Sequence, residues 1–485
     1  MNLNALKNYF PEISSRRFTQ IGTSLIILMV ILMGIVQIYA PFDQDEIEAV
    51  HTAWKVIHDG EIYRDFFQHH HPFLYYLLVP IIKFFGEVYH TLLIIRMIVF
   101  FQYFLIGLIT YLLAKKLFNA ETAILSVYLL LTSVIFTKLL QIRPDGPQVL
   151  CGMISLLFLF SFFEQQNKQK RCVQLIVSAL FLSLSFLFLQ KAIFLMAAIG
   201  SILLFQLYQR KVSFIECAVF AIVFSLPVLI YFLYIWSIGA WDFYLKFNWL
   251  LNAMHTGRFL PFYTLQLLAM SQLLCAFYAI GIFYYLESYY QKIIGWCSLW
   301  LLFAAIVIAR FSYAQYYAPA IPLMAMIAGY ALYKMCMGNT YKMLMIIFAL
   351  SWGSLIGNAY QVVKMVVKGI NREPHEKINF VLNNAPEGSS VYDGKSFFNL
   401  FRHDVDFFWF EARMNHDKSD LIPIYERLTG NNYDVHAAVE KYAPSIISNY
   451  YVNLNNKIIV NSYDQSEKFD DLLIRKKEIF HGAAE

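Results

Sequence analysis

The chain has 485 residues, 59% of them hydrophobic and only 15% charged, with a formal net charge of +5. A soluble protein of this length carries about 25% charged residues, so the composition excludes a soluble globular enzyme and indicates a polytopic membrane protein. The small net charge gives no basis for a nucleic-acid partner. The six cysteines (Cys151, Cys172, Cys217, Cys275, Cys297 and Cys336) fall in or beside apolar runs without metal-ligand spacing, and they read as small fillers of helix interfaces.

The first apolar run starts near Gly22, after Arg16 and Arg17. It is long enough to span a bilayer and is expected to stay as an anchor. Further helix-length apolar runs follow at about 91–114, 121–141, 146–163, 173–190, 192–208, 214–236, 263–286, 293–309, 316–335 and 342–358. With the first, at about 21–41, they make roughly eleven crossings. Arg16/Arg17, Lys115/Lys116, Lys168/Lys170/Arg171, Arg210/Lys211, Lys292, and Lys334 with Lys342 occupy alternate connections. Placing these cations in the cytoplasm gives one consistent topology. The loops at 42–90, 142–145, 190–191, 237–262 and 310–316 are then outside, and so is the tail. The short apolar run at 71–86 contains two prolines and is expected to lie at the interface or re-enter rather than cross.

The first outer loop, 42–90, concentrates unusual residues. "FDQDEIEAVHTAWKVIHDG" has a helical apolar stripe of Ile47, Val50, Trp54 and Ile57. Asp43 and Glu46 have capping-box spacing, and Gly60 suits a helix stop. Capping and the helix dipole account for two of the acids at this membrane edge; Asp45 and Glu48 are left over. A carboxylate at a helix N-terminus stays ionised at neutral pH and suits a general base. Asp43-Gln44-Asp45 has the DxD spacing that admits a divalent cation, a pattern of low specificity. Three consecutive histidines, His69, His70 and His71, diverge on a helix and chelate poorly together, so a single contact from His70 or His71 is expected.

Other charges sit at the same outer boundary. "QIRPDGPQ" places Arg143 and Asp145 around a stiff proline turn. Lys191 follows Gln190 in the next outer turn. "ARFSYAQYYAPAIP" carries Arg310, Tyr313, Gln315, Tyr316 and Tyr317. Singly, these read as a salt-bridged turn, a snorkelling lysine and an aromatic belt. Together, cations that suit a lipid phosphate and a carboxylate base that suits a hydroxyl acceptor point to transfer from a lipid-phosphate donor. From about 359 the composition turns polar, with turns at 384–388 and at Asp393-Gly394. "SVYDG" and "PSIISNYYV" read as strands and "PHEKINFVLNN" as a helix of one small α/β domain.

"DQDE" after the first span, "GEIYRDFFQHHHPFLYYLL", "RPD", "QK" and "YAQYYAPAIP" stand in this order over about the first 330 residues. In these features the chain resembles the integral-membrane glycosyltransferases of the GT-C fold, in the branch of protein O-mannosyltransferases and lipid A aminoarabinose transferases. The resemblance implies an all-α polytopic bundle of about eleven spans (1–358), amphipathic helices in the first outer loop, and a small extracytoplasmic α/β domain (359–485). It implies an inverting enzyme of a bacterial inner membrane that moves a sugar from a polyprenyl-phosphate donor to a hydroxyl-bearing cell-envelope acceptor. It requires no cofactor, although a divalent cation at Asp43 and Asp45 is compatible with it. Asp45 of the Asp45-Glu46 pair takes the position of the catalytic base, and Asp145 matches a second outer-loop carboxylate. Lys191 and Arg310 become donor-phosphate contacts, with Arg143, His70 and His71 as further candidates. Tyr63, Arg64, Tyr313, Tyr316 and Tyr317 are expected to line the substrate cavity. Where the aminoarabinose transferases often carry Lys-Pro, this chain has His71-Pro72, a departure that points to a different donor. The competing readings are a flippase of polyprenyl-linked sugars, which calls for broken, charged helices at the bilayer midplane and internal repeats; a polymerase or ligase with a large late outer loop; and a non-catalytic membrane scaffold.

Overall fold

The computed structural model describes residues 14–254, 271–308, 314–336, 339–368, 372–394, 398–407, 409, 422–431, 434–449 and 452–476. The chain divides into two compact units. The first comprises Met1–Ala40, Arg96–Tyr231 and Thr256–Lys368. The second comprises Pro41–Ile95, Phe232–His255 and Gly369–Glu485, so the compact units do not follow the segmental boundary expected at 358/359.

The first unit is built of apolar helices. Among the described residues, seven are long and apolar enough to cross a bilayer: Ser15–Tyr39, Tyr89–Leu117, Asp145–Glu164, Lys168–Phe188, Gln190–Tyr208, Phe214–Ser237 and Tyr289–Ile308. Gln272–Tyr284, Ile321–Met335 and Thr340–Lys368 form at the remaining late apolar runs; residues 263–270 of the expected 263–286 span lie outside the described residues. The run expected to cross at 121–141 is not one straight helix. It breaks between Ala120–Leu131 and Val134–Leu140 with a bend of 68°. At the break the Thr132 hydroxyl bonds back to the Tyr128 carbonyl at 3.0 Å, and the Ser133 hydroxyl pairs with that of Ser271 at 3.1 Å. These side chains offer the backbone alternatives to a continuous ladder.

Close helix approach depends on glycine. A Cβ on Gly329 would stand 2.8 Å from the Ser126 amide nitrogen and 3.0 Å from the Thr122 carbonyl oxygen. Small residues that let backbones meet replace the hydrophobic driving force that lipid does not supply. The end of Ser15–Tyr39 is closed by buried Arg96, whose guanidinium donates to the carbonyls of Gln37 at 3.1 Å and Ala40 at 2.7 Å. A cation on the last carbonyls satisfies groups that have no intrahelical partner.

The second unit opens on Gln44–His58, the helix expected from the apolar stripe. It stops as the sequence suggested: Gly60 has φ of +107°, a left-handed conformation that favours glycine. The run at 71–86 forms the Phe73–Phe85 helix with Pro80 inside it. Thirteen residues rise about 20 Å, short of the roughly 30 Å hydrocarbon core. The tail is α/β. Strands β1 (Ser390–Tyr392), β2 (His403–Asp404), β3 (Ile446–Ser448), β4 (Tyr463–Gln465) and β5 (Leu472–Arg475) form one sheet in the order β2-β1-β3-β5-β4. β1 is parallel to β2 and β3, whereas β5 is antiparallel to β3 and β4. Helices Arg372–Asn384 and Val435–Tyr442 accompany it. Lys377 on the first helix donates to Asp471 just before β5 at 2.8 Å.

Candidate active site

The loop-and-tail unit organises the acids of the first loop. Asp43 is the N-cap, and its carboxylate accepts the Asp45 amide at 3.2 Å. Glu46, fully buried, accepts the Asp43 amide at 3.0 Å and completes the capping box. The box uses the side chains of Asp43 and Glu46, not that of Asp45, which is half-buried in the first turn. Glu48 is buried and accepts from the Gln68 amide nitrogen at 3.1 Å. The same Gln68 donates to Thr52, and its carbonyl accepts the amides of His69 at 2.7 Å and His70 at 3.2 Å. The leftover Glu48 therefore sits in a polar brace that shapes the histidine run.

The histidines do not present a common face. His71 is fully buried, with its Nε2 3.1 Å from the Tyr244 hydroxyl, which also accepts from Trp249 Nε1 at 2.9 Å. His69 and His70 are half-buried. Tyr63 is buried with φ of +71° and donates its hydroxyl to the His70 carbonyl at 2.5 Å, while accepting from Asn248. A bulky residue in the left-handed region is strained, and here the hydroxyl contacts hold it. Arg64 is exposed, paired with Asp65 at 2.6 Å and donating to the Ile238 carbonyl.

A buried ionic network in this unit was missed from sequence. His51 Nε2 lies 2.8 Å from Asp404 Oδ2, and its Nδ1 lies 3.0 Å from the Leu400 carbonyl. Each ring nitrogen thus faces an acceptor oxygen. Lys55 donates to Asp59 at 2.5 Å and Asp404 at 2.9 Å, His403 pairs with Asp59, and Asn399 donates to Asp404 at 3.1 Å. Burial works to raise the Asp404 pKa, but the charges of His51 and Lys55 outweigh it and hold the carboxyl at about 2. Burial likewise works to lower the pKa of Lys55, and Asp404 and Asp59 more than reverse it. The available signal was the four-residue step of His51, Lys55 and Asp59 along one helix face; the partner strand, some 350 positions away, gave none.

The span unit holds a second cluster. Asp145, buried, opens the Asp145–Glu164 helix and lies 3.5 Å from Arg143 Nε. Lys191 sits in the turn before the Ile193–Tyr208 helix, its ammonium 3.4 Å from the centre of the Tyr316 ring. Asp145, Gln148, Lys191, Gln315 and Tyr316 line one narrow pocket of about 30 Å³. The Gln148 side-chain carbonyl is buried with no hydrogen-bond partner among the described residues. Thus three expected contributors, Asp145, Lys191 and Tyr316, share one cavity, with Gln148 added. Tyr317 is fully buried beside them in sequence. Arg310 and Tyr313 lie outside the described residues.

For a divalent cation, Asp43 and Asp45 are the expected ligands. One Asp43 oxygen accepts a backbone amide. Among the described residues, no group of three His, Cys, Asp or Glu side chains is placed to hold a metal ion. No step is assigned to a cation.

Comparison with known proteins places this geometry. Residues 69–231 match the family model of dolichyl-phosphate-mannose-protein mannosyltransferases. No curated protein matches the chain. The crystal structure of ArnT from Cupriavidus metallidurans in the apo state is similar with a TM-score of 0.60 at 11% identity, over 78% of this chain and 84% of that one. ArnT bound to undecaprenyl phosphate is similar with a TM-score of 0.51 at 13% identity, over 74% and 72%. The Archaeoglobus fulgidus oligosaccharyltransferase in complex with Zn and sulfate matches with a TM-score of 0.53 at 15% identity, over 87% and 67%. The chain therefore has the GT-C fold of these membrane glycosyltransferases, and over residues 69–231 it resembles the dolichyl-phosphate-mannose-protein mannosyltransferases.

Proposed function

We propose that the protein is an inverting glycosyltransferase that moves a sugar from a polyprenyl-phosphate donor to a hydroxyl-bearing cell-envelope acceptor on the outer face of a bacterial inner membrane. The observation that carries this reading is that a carboxylate and a cation from two of the expected outer turns, Asp145 and Lys191, line one pocket with Gln148 and Tyr316. In the reaction, Asp45 takes the proton of the acceptor hydroxyl as that oxygen bonds to the anomeric carbon. The carbon–oxygen bond to the phosphate breaks, and the phosphate leaves with its electron pair. Attack opposite the leaving group inverts the anomeric centre. Lys191 and Arg310 neutralise the departing phosphate, where a fixed cation stabilises developing charge. Asp145 positions Arg143 and offers an acceptor to the sugar, as does the Gln148 carbonyl.

Support for the donor class comes from the relatives: ArnT has been crystallised with undecaprenyl phosphate, and the archaeal oligosaccharyltransferase with a dolichol-phosphate and an inhibitory peptide. The test is transfer from a polyprenyl-phosphate sugar by the purified protein in lipid nanodiscs. Asp45→Asn should lower turnover by about 10²- to 10⁴-fold, the usual contribution of a general base, with unchanged donor binding and melting temperature. Lys191→Ala should instead weaken donor binding about ten-fold or more, the worth of a charge-assisted contact. Wild-type turnover in Asp45→Asn would remove the base assignment.

A further inference from the structure

A second recess lies at the other end of the Ile193–Tyr208 helix from Lys191. Ser201, Ile202 and Phe205 of that helix and Tyr289, Lys292, Ile293 and Trp296 of the Tyr289–Phe303 helix line a groove of about 400 Å³. Its walls are apolar. Trp296, 48% exposed, donates its indole N–H to the Ser201 hydroxyl at 3.1 Å across the groove. At the mouth, Lys211 holds its ammonium 4.1 Å from the centre of the Tyr289 ring, and Lys292 stands exposed one turn into the same helix.

The charge balance at this end is uneven. Lys116 pairs with Glu164, Arg171 with Glu216 and Lys334 with Glu287. Lys211 and Lys292 have no carboxylate partner among the described residues. The Tyr289 hydroxyl is buried without a hydrogen-bond partner among them as well. Two cations and one idle hydroxyl thus ring the mouth of an apolar slot. From Ser201 to Phe205, the residues of this helix that line the groove, the rise is about 6 Å, the length of the first few methylenes of an acyl chain.

We infer that this groove binds an anionic glycerophospholipid of the leaflet opposite the proposed active site, with its phosphate on Lys211 and Lys292 and one acyl chain along Phe205, Ile202 and Trp296. A zwitterionic lipid offers the same chains but adds a cationic headgroup beside two lysines. The inference rests on the helices spanning a bilayer and not on the proposed transfer reaction, so either can fail alone.

The test is native mass spectrometry of the full chain in detergent, titrated with phosphatidylglycerol, phosphatidylcholine of matched chains, or polyprenyl phosphate. Phosphatidylglycerol should bind more tightly than phosphatidylcholine. Each lysine should contribute about five-fold, the worth of a cation near an anionic surface. Lys211→Ala with Lys292→Ala should erase that preference and leave phosphatidylcholine binding unchanged, while arginine at both positions should retain it. Should the double variant misfold, Lys292→Gln alone carries the test with about a five-fold loss. Equal binding of the two phospholipids, an unchanged preference in the lysine variants, or displacement of phosphatidylglycerol by equimolar polyprenyl phosphate would overturn the inference.

Discussion

Asp404 shows what a single buried carboxylate commits the loop-and-tail unit to. Its pKa of about 2 lies below the ordinary 3.8, so it favours the folded state fully above pH 3.8, and that contribution is lost as pH falls through 2. The difference corresponds to roughly 2 kcal/mol. Acid unfolding of the purified chain, followed by tryptophan fluorescence, should therefore show stability falling between about pH 4 and 2, and Asp404→Asn should flatten that slope. Asp404→Ala goes further: it leaves the His51 ring and the Lys55 ammonium buried beside a missing partner, a loss of about 3–5 kcal/mol. A chemical-denaturation midpoint equal to wild type would contradict the network. The first-loop acids separate by the same logic. Asp43→Ala removes a cap and should cost about 1 kcal/mol of stability, whereas Asp45→Asn should leave stability intact and slow transfer by about 10²- to 10⁴-fold.

At the scale of elements, what the sequence made legible was local. The capping box at Asp43 and Glu46, the stop at Gly60 and the strands around Val391 and Ile446 depend on residues a few positions apart, and each formed where the pattern placed it. The candidate residues Asp145, Lys191 and Tyr316 were legible as outward-facing polar groups in apolar surroundings, and they line one pocket. What was not legible depends on distant partners. The ionic pairing of His51 and Lys55 with Asp404 is set by chain topology, and the orphaned Gln148 carbonyl reads in sequence as an ordinary helix residue. The 68° break after Leu131 is likewise invisible in hydropathy, because Thr132 and Ser133 are too few to interrupt an apolar run. Glycine contacts follow the same rule: Gly329 matters because the Thr122–Ser126 turn passes against it. Gly329→Leu should force these helices apart and cost several kcal/mol, whereas Gly329→Ala should cost less. Thermal aggregation in matched detergent would read both, and a leucine variant as stable as wild type would rule out the close approach.

For the whole molecule, the decisive quantity is the parity of crossings before each loop. The Phe73–Phe85 helix is one element on which parity turns, and the bent Ala120–Leu131 and Val134–Leu140 pair is another. At about 20 Å the Phe73–Phe85 helix falls short of the hydrocarbon core. If it crossed nonetheless, every later connection would invert, and the clusters at Lys168, Lys170 and Arg171 and at Arg210 and Lys211 would face outward against the positive-inside bias. If instead this helix lies in the interface, the positive-inside bias predicts that the same clusters face the cytoplasm and that the 142–145 and 190–191 turns, with Asp145 and Lys191, face out. Single cysteines in a background with the six native cysteines replaced distinguish these arrangements. An impermeant thiol reagent added to intact spheroplasts should label cysteine introduced at Gly239 in the connection after Phe214–Ser237, and at Asn431 in the tail. It should reach Asn167 and Ser213 only after the membrane is permeabilised. The opposite pattern would place Lys191 in the cytoplasm, where a donor presented on the outer face could not meet it, and transfer on that face would have to be abandoned together with the topology.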